Sequence, residues 1–159
     1  MTGVWVRLSK RKAVNNSMTV WFSSALFVLG IIAPFPTFAA PTIDVSAEDT
    51  RIELGVGLSY LAEGPERFDI DEVRASLGVG AWEQSDKVVP NFGFNAAPHW
   101  FHLSLQNAEP EALERIFEVG YSMLDDLEVY VFDQAGEVTL FKGGDGYPFS
   151  QRVMEHRNF

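Results

Sequence analysis

The chain contains no cysteine. No disulfide can staple it, no thiolate can hold a metal, and no lipid can be attached through a cysteine behind a leader. Histidine is almost as scarce, with His99, His102 and His156 alone. A zinc site needs three or four converging ligands, and His99 and His102, three apart on a strand, point to opposite faces. There is no Gly-x-Ser-x-Gly elbow, phosphate loop or His-Glu-x-x-His helix. The sequence therefore assigns no catalytic residue, no metal ligand and no cofactor, and it reads as that of a non-enzyme. Positive charge is also short, with 12 Lys and Arg against 22 Asp and Glu. Such a field repels nucleic acid and anionic membrane surfaces alike. Finally, no apolar run is long enough to cross a bilayer comfortably: the uncharged apolar run over residues 20–33 falls short of the ~20 residues required.

What is present begins with a leader pattern. Arg7, Lys10, Arg11 and Lys12 precede that apolar stretch, Pro34 and Pro36 break it, and Thr37-Phe-Ala39 supplies small residues for a signal peptidase. The expectation is a secretory signal over residues 1–39, cut after Ala39 because Pro41 obstructs a cut after Ala40. The competing reading is an uncleaved anchor in the inner membrane. Removing the leader takes four of the 12 basic residues and no acid, so eight then face 22, a formal charge of −14. The exported product is expected in the periplasm.

Behind the leader, residues 40–50 are polar and aperiodic and read as a linker, leaving residues 51–159 as one domain. Residues 52–61 alternate apolar with small or polar side chains, a strand weakened by Gly55 and Gly57. Residues 69–77 predict a short helix: Asp69 caps it, Asp71 and Glu72 suit its positive end, Gly78 closes it, and Ile70, Val73 and Leu77 share a face. Strands follow at residues 100–106, 114–119, 127–132 and 138–142, with turns between them. In the first of these Phe101, Leu103 and Leu105 face one way and Trp100, His102, Ser104 and Gln106 the other. The spacing predicts an all-β antiparallel sandwich or jelly roll with one short helix. An apolar segment starting at Phe159 leaves a sheet edge open, through which the protein would self-associate.

Three segments resemble one family. They are Asn91-Phe-Gly-Phe-Asn-Ala-Ala-Pro-His-Trp-Phe101, Gly120-Tyr-Ser-Met-Leu-Asp-Asp-Leu-Glu-Val-Tyr130, and Gly144-Asp-Gly-Tyr-Pro-Phe-Ser-Gln-Arg152 running on to His156-Arg-Asn-Phe159. In order and spacing they resemble the type 2 extracellular domain of bacterial seven-transmembrane receptors with diverse intracellular signalling modules. The resemblance implies a jelly roll similar to carbohydrate-binding modules, which binds sugars or other small ligands outside the membrane. It also implies a parent receptor with transmembrane helices and a diguanylate cyclase, histidine kinase or phosphatase output. Family domains continue past such a third segment with further strands, so the expectation is a domain truncated at its C-terminus.

Candidate ligand-binding residues follow from residue chemistry. Trp100 and Tyr121 have faces suited to a pyranose ring, although a strand Trp more often packs a core. Asp125, beside Asp126 at a turn, can accept hydrogen bonds from a sugar or simply cap the turn. Gln151, Arg152, His156 and Arg157 form a cationic polar group that would capture an acidic or polyhydroxy ligand. Alternatively, the group pins its loop through an ion pair to Asp125 or Asp145. The function expected is an extracytoplasmic ligand-sensing domain of a signalling receptor. A stand-alone secreted carbohydrate-binding module is the alternative, and a small periplasmic hydrolase a third.

Overall fold

The computed structural model describes residues 2–9, 42–64, 67–77, 81–93, 97–121, 123–152, 154, 156 and 158–159. Seven strands form one sheet: β1 (Thr2–Ser9), β2 (Thr42–Val45), β3 (Ser59–Ala62), β4 (Glu83–Gln84), β5 (His99–Asn107), β6 (Asp126–Phe132) and β7 (Val138–Gly143). Their order is β4-β3-β5-β1-β6-β7, and β2 runs parallel to the end of β5 beyond β3. All other pairings are antiparallel. One short helix, α1 (Ile70–Ser76), completes the mostly β class that the strand pattern predicts.

The largest departure lies at the N-terminus. Residues 2–9, which open the expected leader and include Arg7, the first of its four basic residues, form the central strand, with β5 on one side and β6 on the other; Lys10, Arg11 and Lys12 lie outside the described residues. The local reason is visible in Val4-Trp-Val-Arg-Leu8, a nearly continuous apolar run of the kind that a strand with two buried faces carries. Val4, Trp5 and Val6 are all buried. The apolar stretch 20–33, the small residues before Ala39 and the expected cleavage position lie outside the described residues. Among those described, no helix is long and apolar enough to cross a membrane.

The sheet has a core on each face. Val4, Val6, Phe101, Leu103, Leu127 and Val129 make the first, covered by loop residues including Leu54, Phe92, Phe117, Val119 and Phe159. Trp5, Leu61, Trp82, Trp100, Phe132 and Val73 make the second, with α1 as its lid. The alternation predicted for β5 is thus met: Phe101 and Leu103 enter one core and Trp100 the other. Helix α1 starts where the sequence places it. The Asp69 carboxylate accepts from the Glu72 N–H and the Glu72 carboxylate accepts from the Asp69 N–H, a reciprocal cap. Gly78, expected to close the helix, lies outside the described residues.

Other segments differ from their predicted elements. Within the expected linker, residues Thr42–Val45 pair with the end of β5. Of the first predicted strand only residues 59–61 join the ladder, as part of β3. The chain before it bends at Gly57, where φ is +78°, and runs against the Val88 carbonyl at Gly55, where no side chain fits. Residues 114–119 form no ladder, but Val119 and Phe159 exchange both backbone hydrogen bonds. Strand β7 is a sheet edge, exposed along most of its length, with Val138, Leu140 and Phe141 open to solvent.

Candidate functional site

Two polar assemblies stand out, one at an end of the sheet and one across it. At the end, the second and third motif segments fold onto each other. The Asp145 N–H donates to the Leu124 carbonyl, the Gly146 N–H donates to the Asp125 carbonyl, and the Tyr147 hydroxyl donates to Asp126. This approach depends on Gly144, whose φ is +124°. A Cβ there would collide with the Asp125 backbone. Gly144→Ala should therefore cost about 1–3 kcal/mol, since both strain and a backbone clash act. Gly136 sits at φ +84° in the β6–β7 turn with open space around it, so Gly136→Ala should cost only about 1 kcal/mol. Paired thermal melts of the two variants check the order.

The loop continues through Pro148 into a single 3-10 turn, Phe149–Gln151. Arg152 then lies over two rings, 4.9 Å from the centre of Phe149 and 4.3 Å from that of Phe159. Its Nη1 donates to the His156 carbonyl at 2.7 Å. The His156 ring accepts from the Asn158 N–H, and the Asn158 side chain donates to Glu118. Arg152 and His156 therefore meet, and Arg152 is half-buried while Gln151 and His156 are exposed. Asp125 is half-buried at the turn that receives this loop, and Tyr121 is exposed. Arg157 lies outside the described residues. Trp100 is elsewhere: at 1% exposure it offers no face to solvent, and the ring beside it is Tyr130 at 5.9 Å, not Tyr121. Core packing, the commoner use of a strand Trp, is what this one does.

The second assembly went unseen in the sequence. Register sets Leu61, Trp100, Arg7, Glu128 and Lys142 in one row across β3, β5, β1, β6 and β7. Glu63, just past β3, reaches into the row with its side chain wholly buried. Its carboxylate accepts from Arg7 Nε at 3.0 Å, from Arg7 Nη2 at 3.1 Å and from the Trp100 indole N–H at 2.6 Å. The Arg7 fork is thus bidentate. Farther along, Glu128 accepts from Lys142 at 2.7 Å and from the Tyr130 hydroxyl at 3.1 Å. Burial works against the Arg7 charge, but Glu63, Glu128 and Asp126 hold its pKa above the usual value. Burial likewise works against Glu128, yet Lys142, Tyr130 and Arg7 outweigh it and the pKa falls. Burial, then Glu128, raises Tyr130. Glu128 raises Lys142.

The adjoining row is less well satisfied. Ser59, His102, Trp5, Tyr130 and Leu140 are register partners. His102 is buried against the Trp5 ring, 4.2 Å between centres, and burial lowers its pKa to about 4. Among the described residues neither His102 Nδ1 nor the Ser59 hydroxyl has a hydrogen-bond partner. His99 projects the other way, against Phe92 and Phe101, as three-residue spacing on a strand requires. Glu63 and Glu128 carried no sequence signal, because a buried carboxylate in an acidic chain looks like any other. Arg7 was hidden by the leader pattern around it.

The family model described as 7TMR-DISM extracellular 2 matches residues 55–159. That span includes all three motif segments and every strand from β3 to β7. No curated protein and no solved structure matches the chain.

Proposed function

We propose, from the premise that this chain belongs to the 7TMR-DISM extracellular 2 family, that it is an extracytoplasmic ligand-sensing domain of a bacterial signalling receptor. The family is one of receptor sensor domains rather than of catalytic ones. The finer reading is ours: residues 1–39 direct export to the periplasm, and the sheet-end loop captures a small polyhydroxy or acidic ligand. The observation that carries the ligand reading is the architecture of the third motif. A glycine that tolerates no side chain and two rings beneath Arg152 hold a loop in place, while Gln151 and His156 remain open to solvent. A held backbone with exposed polar side chains is suited to recognition, because little ordering entropy is lost on binding.

Titration calorimetry with a panel of mono- and oligosaccharides and small carboxylates tests this. At least one compound is expected to bind, and Gln151→Ala and His156→Ala are expected to weaken it roughly tenfold, the loss of about one hydrogen bond to a charged or polar group. Both variants should melt with the parent. Binding unchanged in both, or no binding anywhere in the panel, would sink the assignment of this loop. Export is checked separately. Residues 1–45 fused to alkaline phosphatase should give enzyme activity in the periplasm, and an inactive fusion would overturn the leader.

A further inference from the structure

Strands β5 and β6 do not pair with each other. Every backbone bond between them runs through β1, which matches residues Thr2 to Leu8 against β5 and Gly3 to Ser9 against β6. The slot has a defined chemistry on each side. On one face it is lined by Phe101, Leu103, Leu127 and Val129, which surround Val4 and Val6. On the other it holds the wholly buried Glu63 carboxylate and, 3.9 Å from the Arg7 guanidinium, Glu128. An empty slot would leave two strand edges open and a buried carboxylate without its cation. Both are costly in water and more so in a core.

The same eight residues open the leader and include Arg7, the first of its four basic residues. If the apolar stretch 20–33 enters the membrane with its basic flank behind it, Arg7 stays on the cytoplasmic side while residues from Thr42 onward cross. One molecule cannot place Thr2–Ser9 in both positions. We infer that the slot between β5 and β6 is a strand-acceptor site. In the exported protein it takes an extended segment of another polypeptide, apolar at alternate positions, with an arginine set to meet Glu63 and Glu128. Main-chain bonds to two edges supply affinity and the buried carboxylate supplies specificity. The identity of the occupant rests on the export reading; the existence of the site does not.

The full chain tests it. A protease site is inserted between Asn15 and Asn16, the protein is purified in mild detergent and cut, and a fluorescent peptide of residues 2–9 is added. The cut N-terminal piece is expected to remain bound on gel filtration and to exchange for labelled peptide, raising its anisotropy. A peptide with Arg7→Glu should compete roughly a hundredfold less well, since it sets a second carboxylate against Glu63. Substituting Glu63→Gln in the chain should narrow that preference for arginine without abolishing uptake. Equal competition by the two peptides would overturn the proposal. So would release of the piece from a chain that stays folded, or collapses, and takes up no peptide. A strand-exchanged dimer before cutting would replace the foreign partner with a second copy. Failure of the phosphatase fusion alone would remove export and leave the exchange result standing.

Discussion

Arg7→Ala is expected to destabilise the folded chain by about 3–5 kcal/mol, the cost of leaving a buried charge without its partner. The substitution also removes the largely buried stem of the side chain. It strands Glu63, whose side chain has no exposure and whose remaining described partner is the Trp100 indole. One neutral donor does not replace a bidentate guanidinium. A denaturant melt of the full chain measures the loss. The double substitution Arg7→Met with Glu63→Gln should recover most of it, because replacing both members of a buried pair by neutral groups of similar size is often tolerated. A single Arg7→Ala that costs under about 1 kcal/mol, the worth of a surface pair, would show that water reaches Glu63.

Acid is expected to weaken the fold through His102. Burial lowers its pKa from the ordinary 6.5 to about 4. The native state thus favours the neutral ring, while the unfolded chain takes up a proton near pH 6.5. The stability that this difference contributes is whole above pH 6.5 and is lost as pH falls from there to about 4. The total is about 3 kcal/mol, at roughly 1.4 kcal/mol per pKa unit. Glu128 adds to acid sensitivity in the same direction, since its pKa is held low and its stabilisation fades as it protonates. A His102→Leu variant separates the two: between pH 6.5 and 4 it should lose about 3 kcal/mol less than the parent. Parallel stability curves for parent and variant over that window would rule His102 out.

How much of this was legible follows from how local each signal is. The Asp69–Glu72 cap and the apolar spacing behind it lie within nine residues, so α1 could be placed almost to its ends. The alternation of β5 is equally local, as is the β6–β7 turn, where the Gly136 N–H donates to the Asp133 carbonyl and the Asp133 N–H to the Glu137 carbonyl. Strand β1 was not legible as a strand because two physical patterns overlap there. Basic residues before an apolar stretch suit a leader, and Val4-Trp-Val-Arg-Leu8 suits a central strand; only pairing partners about a hundred residues away distinguish them. Residues 114–119 erred the other way: propensity was present, but the edge they meet is the single residue Phe159.

The candidate sites divide along the same line. The third motif was visible because its members are close in sequence, and the contact of Arg152 with His156 spans four residues. The row from Leu61 to Lys142 draws one residue from each of five strands. No window along the chain contains two of its charged members except Glu128 and Lys142. Trp100 shows the limit of residue chemistry alone: its ring suits a sugar, but the strand turns it into the core.

The charged row also fixes alignment. Along β1 the two faces meet different surroundings, aliphatic beside Val6 and ionic beside Arg7. Sliding that strand by one residue would drive the guanidinium among Phe101 and Val129 and present a valine to Glu63. Hydrophobic alternation resists such slippage by burial alone; here the misaligned state would also contain an unmatched cation and an unmatched anion. The sheet therefore has one permitted registration rather than a family of near-equal ones, and proofreads whatever strand comes to lie at its centre.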